Sequence, residues 1–402
     1  MKNWEKKSLG DVCEIVNGST PLRTNKDFWE NGNFPWFTID DIREQGRIIT
    51  DTKQKVTEAA LSKLRVLPVD TVLLCCTASV GEYAITKIEL TTNQQFNGLV
   101  VKDRIKLDPE FLMHYCSTLK DKLLGLSGKT TIDFIAISKL KPLEIPLPPL
   151  PEQQRIVSIL DEAFAAIAKA KANAEQNLKN AKELFESNLQ RVFEKKGEGW
   201  EENKLGEVLV KTETIDPTKY PDTEFTYLDV SSVNKETKEI ETPTVLLGKD
   251  APSRARKLIK TGDVIFATVR PTHSRVALIF EEFDEQVCST GYFVLRSKEA
   301  VNNKLIFYYL LTKGFNEQME KLQKGANYPA VTDNDVKGVL FRFPKSKEEQ
   351  QTIVHQLDTL RTKTQKLEAV YQKKIDDLEE LKKSILQKAF AGELKTEKLE
   401  TE

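Results

Sequence analysis

Residues 148–164 read "PPLPEQQRIVSILDEAF", and residues 346–360 read "SKEEQQTIVHQLDTL". Gln153-Gln154 and Gln350-Gln351, Ile156-Val157 and Ile353-Val354, and Leu160-Asp161 and Leu357-Asp358 hold equivalent places, at an offset of 197. Each stretch opens a helix. Pro148 and Pro151 set the start of the first, with Glu152 in its first turn. A helix opening repeated almost half a chain apart implies that the chain is written twice.

The rest of the sequence follows the same plan. "WEKKSLGDV" (4–12) answers "WEENKLGEV" (200–208), and "WFTIDDI" (36–42) answers "YLDVSSV" (227–233). The latter pair alternates apolar and polar residues, the pattern of a half-buried strand. "LPVDTVLL" (67–74) and "IKTGDVIF" (259–266) each read as a turn with a shared aspartate before a buried strand. "NGLVV" (97–101) matches "TGYFV" (290–294), and "PEFLMHYC" (109–116) matches "NKLIFYYL" (303–310), a short helix. "SGKTT" (127–131) matches "KGANY" (324–328). Offsets drift between 191 and 197, as expected for loops of differing length on a fixed framework.

After each pass comes a heptad-like seam. On the first helix it runs through Leu160, Phe164, Ile167, Ala174, Leu178, Ala181, Phe185 and Val192, interrupted by Lys171 and Asn188. On the second it runs through Leu357, Tyr371, Ile375, Leu378, Ile385 and Ala389, with Leu360, Leu367 and Leu381 alongside. Sustained 3.5-residue spacing with a charged remainder indicates a coiled coil, each helix a rod of roughly 60 Å. The expected fold is α+β. Two globular α/β parts are separated by a long antiparallel two-helix coil, with pseudo-two-fold symmetry. The boundaries read from the sequence are 1–150, 151–197, 198–346, 347–395 and a tail at 396–402.

Composition narrows the function. At 402 residues the chain exceeds one ordinary core. No apolar run of membrane-spanning length occurs, and the first residues lack an apolar signal core, so a cytoplasmic protein without membrane association is expected. Five cysteines stand without ligand spacing, so a reduced protein with no metal site is expected. The net charge of −1 argues against a stand-alone nucleic-acid binder, but the charge is uneven. Residues 249–275 hold seven Lys/Arg against two Asp, and 120–141 hold five Lys against Asp121 and Asp133. Such patches suit DNA binding inside a larger assembly, since release of counterions from a few phosphates still supplies affinity.

Catalytic patterns are missing. "GLSGKTT" (125–131) fails as a phosphate loop because Leu123 stands where glycine is needed. There is no GxGxxG after a strand, no GxSxG elbow, and no Asn/Asp-Pro-Pro-aromatic methyltransferase signature. Of three histidines, His114 reads as packed, His355 as facing solvent or a partner helix, and His273 lies in the basic loop "RPTHSR". No catalytic or metal-ligating residue is assigned, and the chain is expected to catalyse nothing by itself.

The chain resembles the DNA-specificity subunit of type I restriction–modification systems over essentially its whole length. The resemblance rests on "NGSTPLRTNKDFWENGNFPWFTIDDI" (17–42), "LPVDTVLL", "NQQFNGLVV" (93–101), "IPLPPLPEQQRIVSILD" (145–161) and "LQKAFAGEL" (386–394). The second copy lacks the prolines just before its helix. The resemblance implies two target recognition domains, each reading one half of a split, asymmetric site in double-stranded DNA. It implies helices that space the domains and dock two methyltransferase subunits, and further restriction/motor subunits. S-adenosylmethionine, ATP and Mg are then expected in the partners and no cofactor in this chain. Leu160, Phe164, Ile167, Leu178, Phe185, Leu357, Tyr371, Ile375, Leu378 and Ile385 form the seam that docking would use.

For DNA contact, the first domain offers Thr20, Arg23, Thr24 and Lys26, with Lys129, Thr130 and Thr131. The second offers Arg254 and Arg256, the loop Arg270, Thr272, His273, Ser274 and Arg275, and Lys324, Asn327 and Tyr328. Arg, Asn and Ser/Thr suit base edges, and Lys suits phosphate. Arg270 is favoured because its loop follows a buried strand directly. The competing reading is a two-headed coiled-coil scaffold that binds protein and reads no DNA.

Overall fold

The computed structural model describes residues 4–126, 135–194 and 198–394. Lys129, Thr130 and Thr131 lie outside them. Four helices carry the argument: α1 (Pro109–Cys116), α2 (Leu150–Glu194), α3 (Asn303–Leu310) and α4 (Lys347–Phe390). The chain forms two compact units. One takes the residues up to Asn173 and those from Lys374 onward, and the other takes Ala174–Lys373. The division cuts both long helices, so each unit holds half of α2 and half of α4.

In the first unit the buried strand Val72–Cys75 lies at the centre of a five-stranded sheet ordered Cys13–Asn17, Phe96–Val101, Val72–Cys75, Tyr83–Thr86, Ile48–Ile49. Its equivalent in the second unit, Val264–Ala267, lies between Val276–Leu278 and Tyr292–Leu295. Both strands are fully buried, which suits their unbroken apolar runs. A second sheet in each unit carries Phe34–Phe37 or Glu224–Leu228. The opening strand of each pass, Glu5–Ser8 or Trp200–Lys204, pairs antiparallel with the strand entering the long helix, Glu144–Leu147 or Leu340–Pro344.

The repeated glutamines explain the opening stretch. Gln153 is fully buried; its Nε2 donates to the carbonyls of Lys106 (2.7 Å) and Pro148 (2.7 Å), and its Oε1 accepts from Asp108 N (2.9 Å). Gln350, equally buried, donates to Ala300 (3.0 Å) and Pro344 (2.8 Å) and accepts from Asn302 N (2.8 Å). Each amide joins the end of the entering strand to the turn that caps α1 or α3. The Leu-Asp pair does similar work one face along. Asp161 meets His114 Nε2 at 2.8 Å, and Asp358 accepts from Tyr308 Oη at 2.6 Å. His114 is indeed packed, its ring 5.7 Å from Phe164, and burial pushes its pKa down against the pull of Asp161.

The long helices pair antiparallel within each unit. In the first, Arg155 donates to the Leu394 carbonyl (3.3 Å), the Lys382 ammonium lies 5.1 Å over the Phe164 ring, and Lys171 pairs with Glu379 (2.5 Å). Numbers rising along one helix meet numbers falling along the other. Lys171, which breaks the apolar seam, is thus matched by a carboxylate. In the second unit Leu189 and Phe193 of α2 share a core with Val354 and Leu357 of α4. Leu160, Ile167 and Leu357 are buried, and Phe164, Leu178, Phe185, Tyr371, Ile375, Leu378 and Ile385 are half-buried. Leu367 and Leu381, read as lying beside the seam, are exposed.

Two local expectations are corrected. Only the start of "WFTIDDI" and of "YLDVSSV" is strand. From Thr38 and Asp229 the chain turns into a helix or a 3-10 turn, because both residues close a capping box, with Asp41 and Ser232. Asp41 is fully buried. The aspartate before the buried strands is not one position. In strand register Asp70 (φ 65°) answers Gly262 (φ 86°), and Asp263 answers Thr71. The turn requires the left-handed conformation, which glycine supplies at no steric cost and aspartate tolerates.

Candidate nucleic-acid interface

After its central buried strand each unit makes the same unusual loop. In the second unit it spans 268–275, with Arg270 (φ 51°) and Ser274 (φ 47°) left-handed. In the first it spans 76–82, with Ala78 (φ 62°) and Gly81 (φ 86°) left-handed. Strand register places Ala78 on Arg270 and Gly81 on Ser274, with one residue inserted between them in the second loop. Left-handed backbone costs a non-glycine residue about 1–2 kcal/mol. Paying it at equivalent places in two dissimilar loops marks a geometry the fold holds on purpose.

In the second unit this loop meets the segment 324–330. Arg270 N donates to the Pro329 carbonyl (2.7 Å), and the Arg270 guanidinium lies 5.6 Å from the Tyr328 ring centre. Lys324 and Ala330 exchange two backbone hydrogen bonds (2.9 Å each), closing a small arch over Gly325 (φ 101°). Arg270, His273, Lys324, Asn327 and Tyr328 are exposed, Tyr328 at 74%. Thr268 N donates to the Gly291 carbonyl and Thr290 N to the Arg254 carbonyl (2.8 Å each), so exposed Arg254 flanks the same turn. At Gly291 a Cβ would stand 2.7 Å from Val230 Cγ2, so the turn admits no side chain there.

Other expected contacts face inward. Arg256 bonds the Ala255 carbonyl (2.8 Å) and approaches Asp216 (3.5 Å). Arg275 donates to the Val233 carbonyl, Ser274 Oγ bonds Asn316 Oδ1 (3.1 Å), and Thr272 is half-buried. These three loop residues shape the loop, whereas Arg270 and His273 stand on its outer side.

In the first unit the loop 19–25 is pinned by indoles. Trp36 Nε1 donates to the Ser19 carbonyl (3.3 Å) and Trp29 Nε1 to the Leu22 carbonyl (3.2 Å). The Arg23 guanidinium lies 3.9 Å from the Trp29 ring centre and 4.6 Å from that of Trp36, and donates to Gln54 Oε1 (2.8 Å). Burial against these rings draws its pKa below the usual guanidinium value. Cation–π contacts of this kind contribute about 0.5–2 kcal/mol each. Thr20 Oγ1 donates to Gln94 Oε1 (2.5 Å), Lys26 pairs with Glu30 (3.0 Å), and Thr24 is exposed.

Sequence reasoning missed the 76–82 loop, although its alignment with 268–275 was available. It also missed Arg47 and Lys238, which stand at one offset, 191, from each other beyond the "WFTIDDI" and "YLDVSSV" stretches. Arg47 lies 4.2 Å over the Tyr83 ring; Lys238 is half-buried, and burial pushes its pKa down to about 8.

A family model described as the type I restriction modification DNA specificity domain matches residues 1–179 and again 197–379. The chain belongs to this family. It is 26% identical to the type I restriction enzyme MjaIX specificity subunit of Methanocaldococcus jannaschii, over 99% of this chain and 95% of that one. It is 34% identical to the EcoprrI specificity subunit of Escherichia coli over 40% of this chain and 42% of the relative. A solved chain from work on complex assembly and conformational transition of the type I R-M system superposes with a TM-score of 0.77. It covers 98% of this chain and 99% of its own length at 21% identity, a likeness of fold. This chain is therefore a specificity subunit of a type I restriction–modification system, built on two specificity domains. Among the described residues no helix is long and apolar enough to cross a membrane.

Proposed function

We propose that each specificity domain reads one half of a split, asymmetric duplex site, and that the long helices dock two methyltransferase subunits, through which motor and nuclease subunits join. The observation that carries this reading is the doubling. The same specificity domain is matched in both passes, and each presents an equivalent left-handed loop of different chemistry, "CTASVGE" at 76–82 and "TVRPTHSR" at 268–275. Equivalent placement with unlike side chains suits two readers of unlike half-sites. Arg270, Arg254 and Lys324 supply the donors for base edges and phosphate, and the exposed Tyr328 a stacking face. Docking is supported by Leu184, Leu367, Val370 and Leu381, which the long helices leave exposed.

On this reading the chemistry belongs to the partners, in the cytoplasm. S-adenosylmethionine serves adenine methylation, ATP with Mg serves translocation and cleavage, and this chain positions them. The test is methylome sequencing of a host expressing the chain with its methyltransferase subunits. The expected result is one split motif with a fixed gap. Replacing residues 198–346 by the corresponding region of another specificity subunit is expected to change one half of that motif. A contiguous motif, or both halves changing, would refute the reading. An assembled complex that binds no duplex would favour the scaffold.

A further inference from the structure

The segment following the capping box reaches, in both units, the outgoing end of the left-handed loop. In the first unit Arg47 Nη1 donates to Glu82 Oε2 (2.7 Å) and to the Tyr83 carbonyl (2.8 Å). In the second, Lys238 Nζ donates to the Ser274 carbonyl (2.7 Å), and Arg275 donates back to the Val233 carbonyl. Strand register makes Glu82 the equivalent of Arg275 and Tyr83 that of Val276. The two ties therefore run from equivalent donor positions to neighbouring acceptors at the outgoing end of the loop. Lys238 is itself left-handed (φ 63°) and the preceding carbonyl, Thr237, accepts from Arg361 of α4 (2.6 Å). The second tie is thus continuous from the long helix to the loop that carries Arg270.

We infer that Arg47 and Lys238 are positioning residues for sequence readout, each fixing the loop of its own specificity domain and neither touching DNA. The inference rests on the proposed half-site reading. Two observations separate it from ordinary packing. The cations stand at equivalent positions. Their acceptors lie at the end of a loop that holds two left-handed residues in each unit.

The test uses the complete complex with its methyltransferase subunits and a duplex library in which each position of either half-site is varied. Wild-type complex defines the motif; a complex with no split motif would defeat the half-site reading itself. With the motif in hand, Lys238→Met is expected to lower discrimination about ten-fold at positions of one half only. Arg47→Met is expected to do the same at the other half only. Lys238→Arg and Arg47→Lys are expected to restore discrimination, because the cation rather than its shape makes the tie. Unchanged discrimination in the methionine variants, or loss spread over both halves, would overturn the inference. If Lys238→Met fails to assemble, Lys238→Gln is read the same way. Failure of both to assemble would also overturn it, because it would mark a residue needed for folding alone.

Discussion

Gln350→Leu is expected to destabilise the second unit by about 2–4 kcal/mol, lowering its melting temperature by roughly 5–15 °C. Leucine keeps the volume and the apolar stem but removes three hydrogen bonds. The Pro344 and Ala300 carbonyls and the Asn302 N–H lose their partner together. Each buried group left unsatisfied costs about 1–3 kcal/mol. The loss stays below a full three-fold sum because Ala300 is exposed and Asn302 half-buried, so those two groups regain water. Gln153→Leu is expected to act likewise on the first unit. Gln154→Ala and Gln351→Ala, at exposed neighbours, are expected to stay within about 0.5 kcal/mol. Calorimetry resolves the units if they melt separately, and hydrogen exchange at Asn302 locates the loss. A shift below 1 °C for Gln350→Leu would show that the buried amide is not what holds the strand to α3.

Arg270→Gly is expected to lower affinity of the assembled complex for its cognate duplex by about 1–3 kcal/mol, five- to 150-fold, without lowering stability. The two outcomes are informative only as a pair. Glycine removes the guanidinium that lies against Tyr328 and also relieves the left-handed strain at φ 51°. Arg270→Ala removes the same side chain and keeps the strain. Both variants should lose the same affinity, and the glycine variant should be the more stable. The salt dependence separates two roles. If Arg270 binds phosphate, its removal reduces the slope of log K against log salt by about one and weakens all sequences alike. If it binds a base edge, its removal relaxes specificity at one position. Unchanged binding in both variants would remove Arg270 from the interface.

The repeat, the buried strands and the two long helices were legible because each rests on periodicity or identity that survives without tertiary context. Gln153 and Gln350 were visible as a repeated pair, but their burial was not: a glutamine before an apolar run reads as a polar first turn until the carbonyls it meets are in place. The stretch beginning at Trp36 shows the limit of alternation. Its polar residues Thr38 and Asp41 lie buried because they satisfy a helix end, so a two-residue alternation does not describe the stretch past Phe37. The site was partly legible. Arg270 and Tyr328 were chosen from different loops and the fold brings them together, whereas Arg256, Arg275 and Ser274 turn to backbone or neighbouring side chains. No local signal separates an arginine that binds a carbonyl from one that faces outward. Left-handed backbone at Ala78 and Arg270 was invisible for the same reason, since neither residue type asks for it.

The antiparallel ribbons formed by Glu5–Ser8 with Glu144–Leu147, and by Trp200–Lys204 with Leu340–Pro344, mean that each α/β body begins and finishes at one gate. A foreign body grafted there has to match four or five residues of ladder, the buried glutamine beyond it, and the face of α1 or α3 that meets Asp161 or Asp358. Exchange of the whole body as a single cassette is therefore expected to leave the junction chemistry untouched.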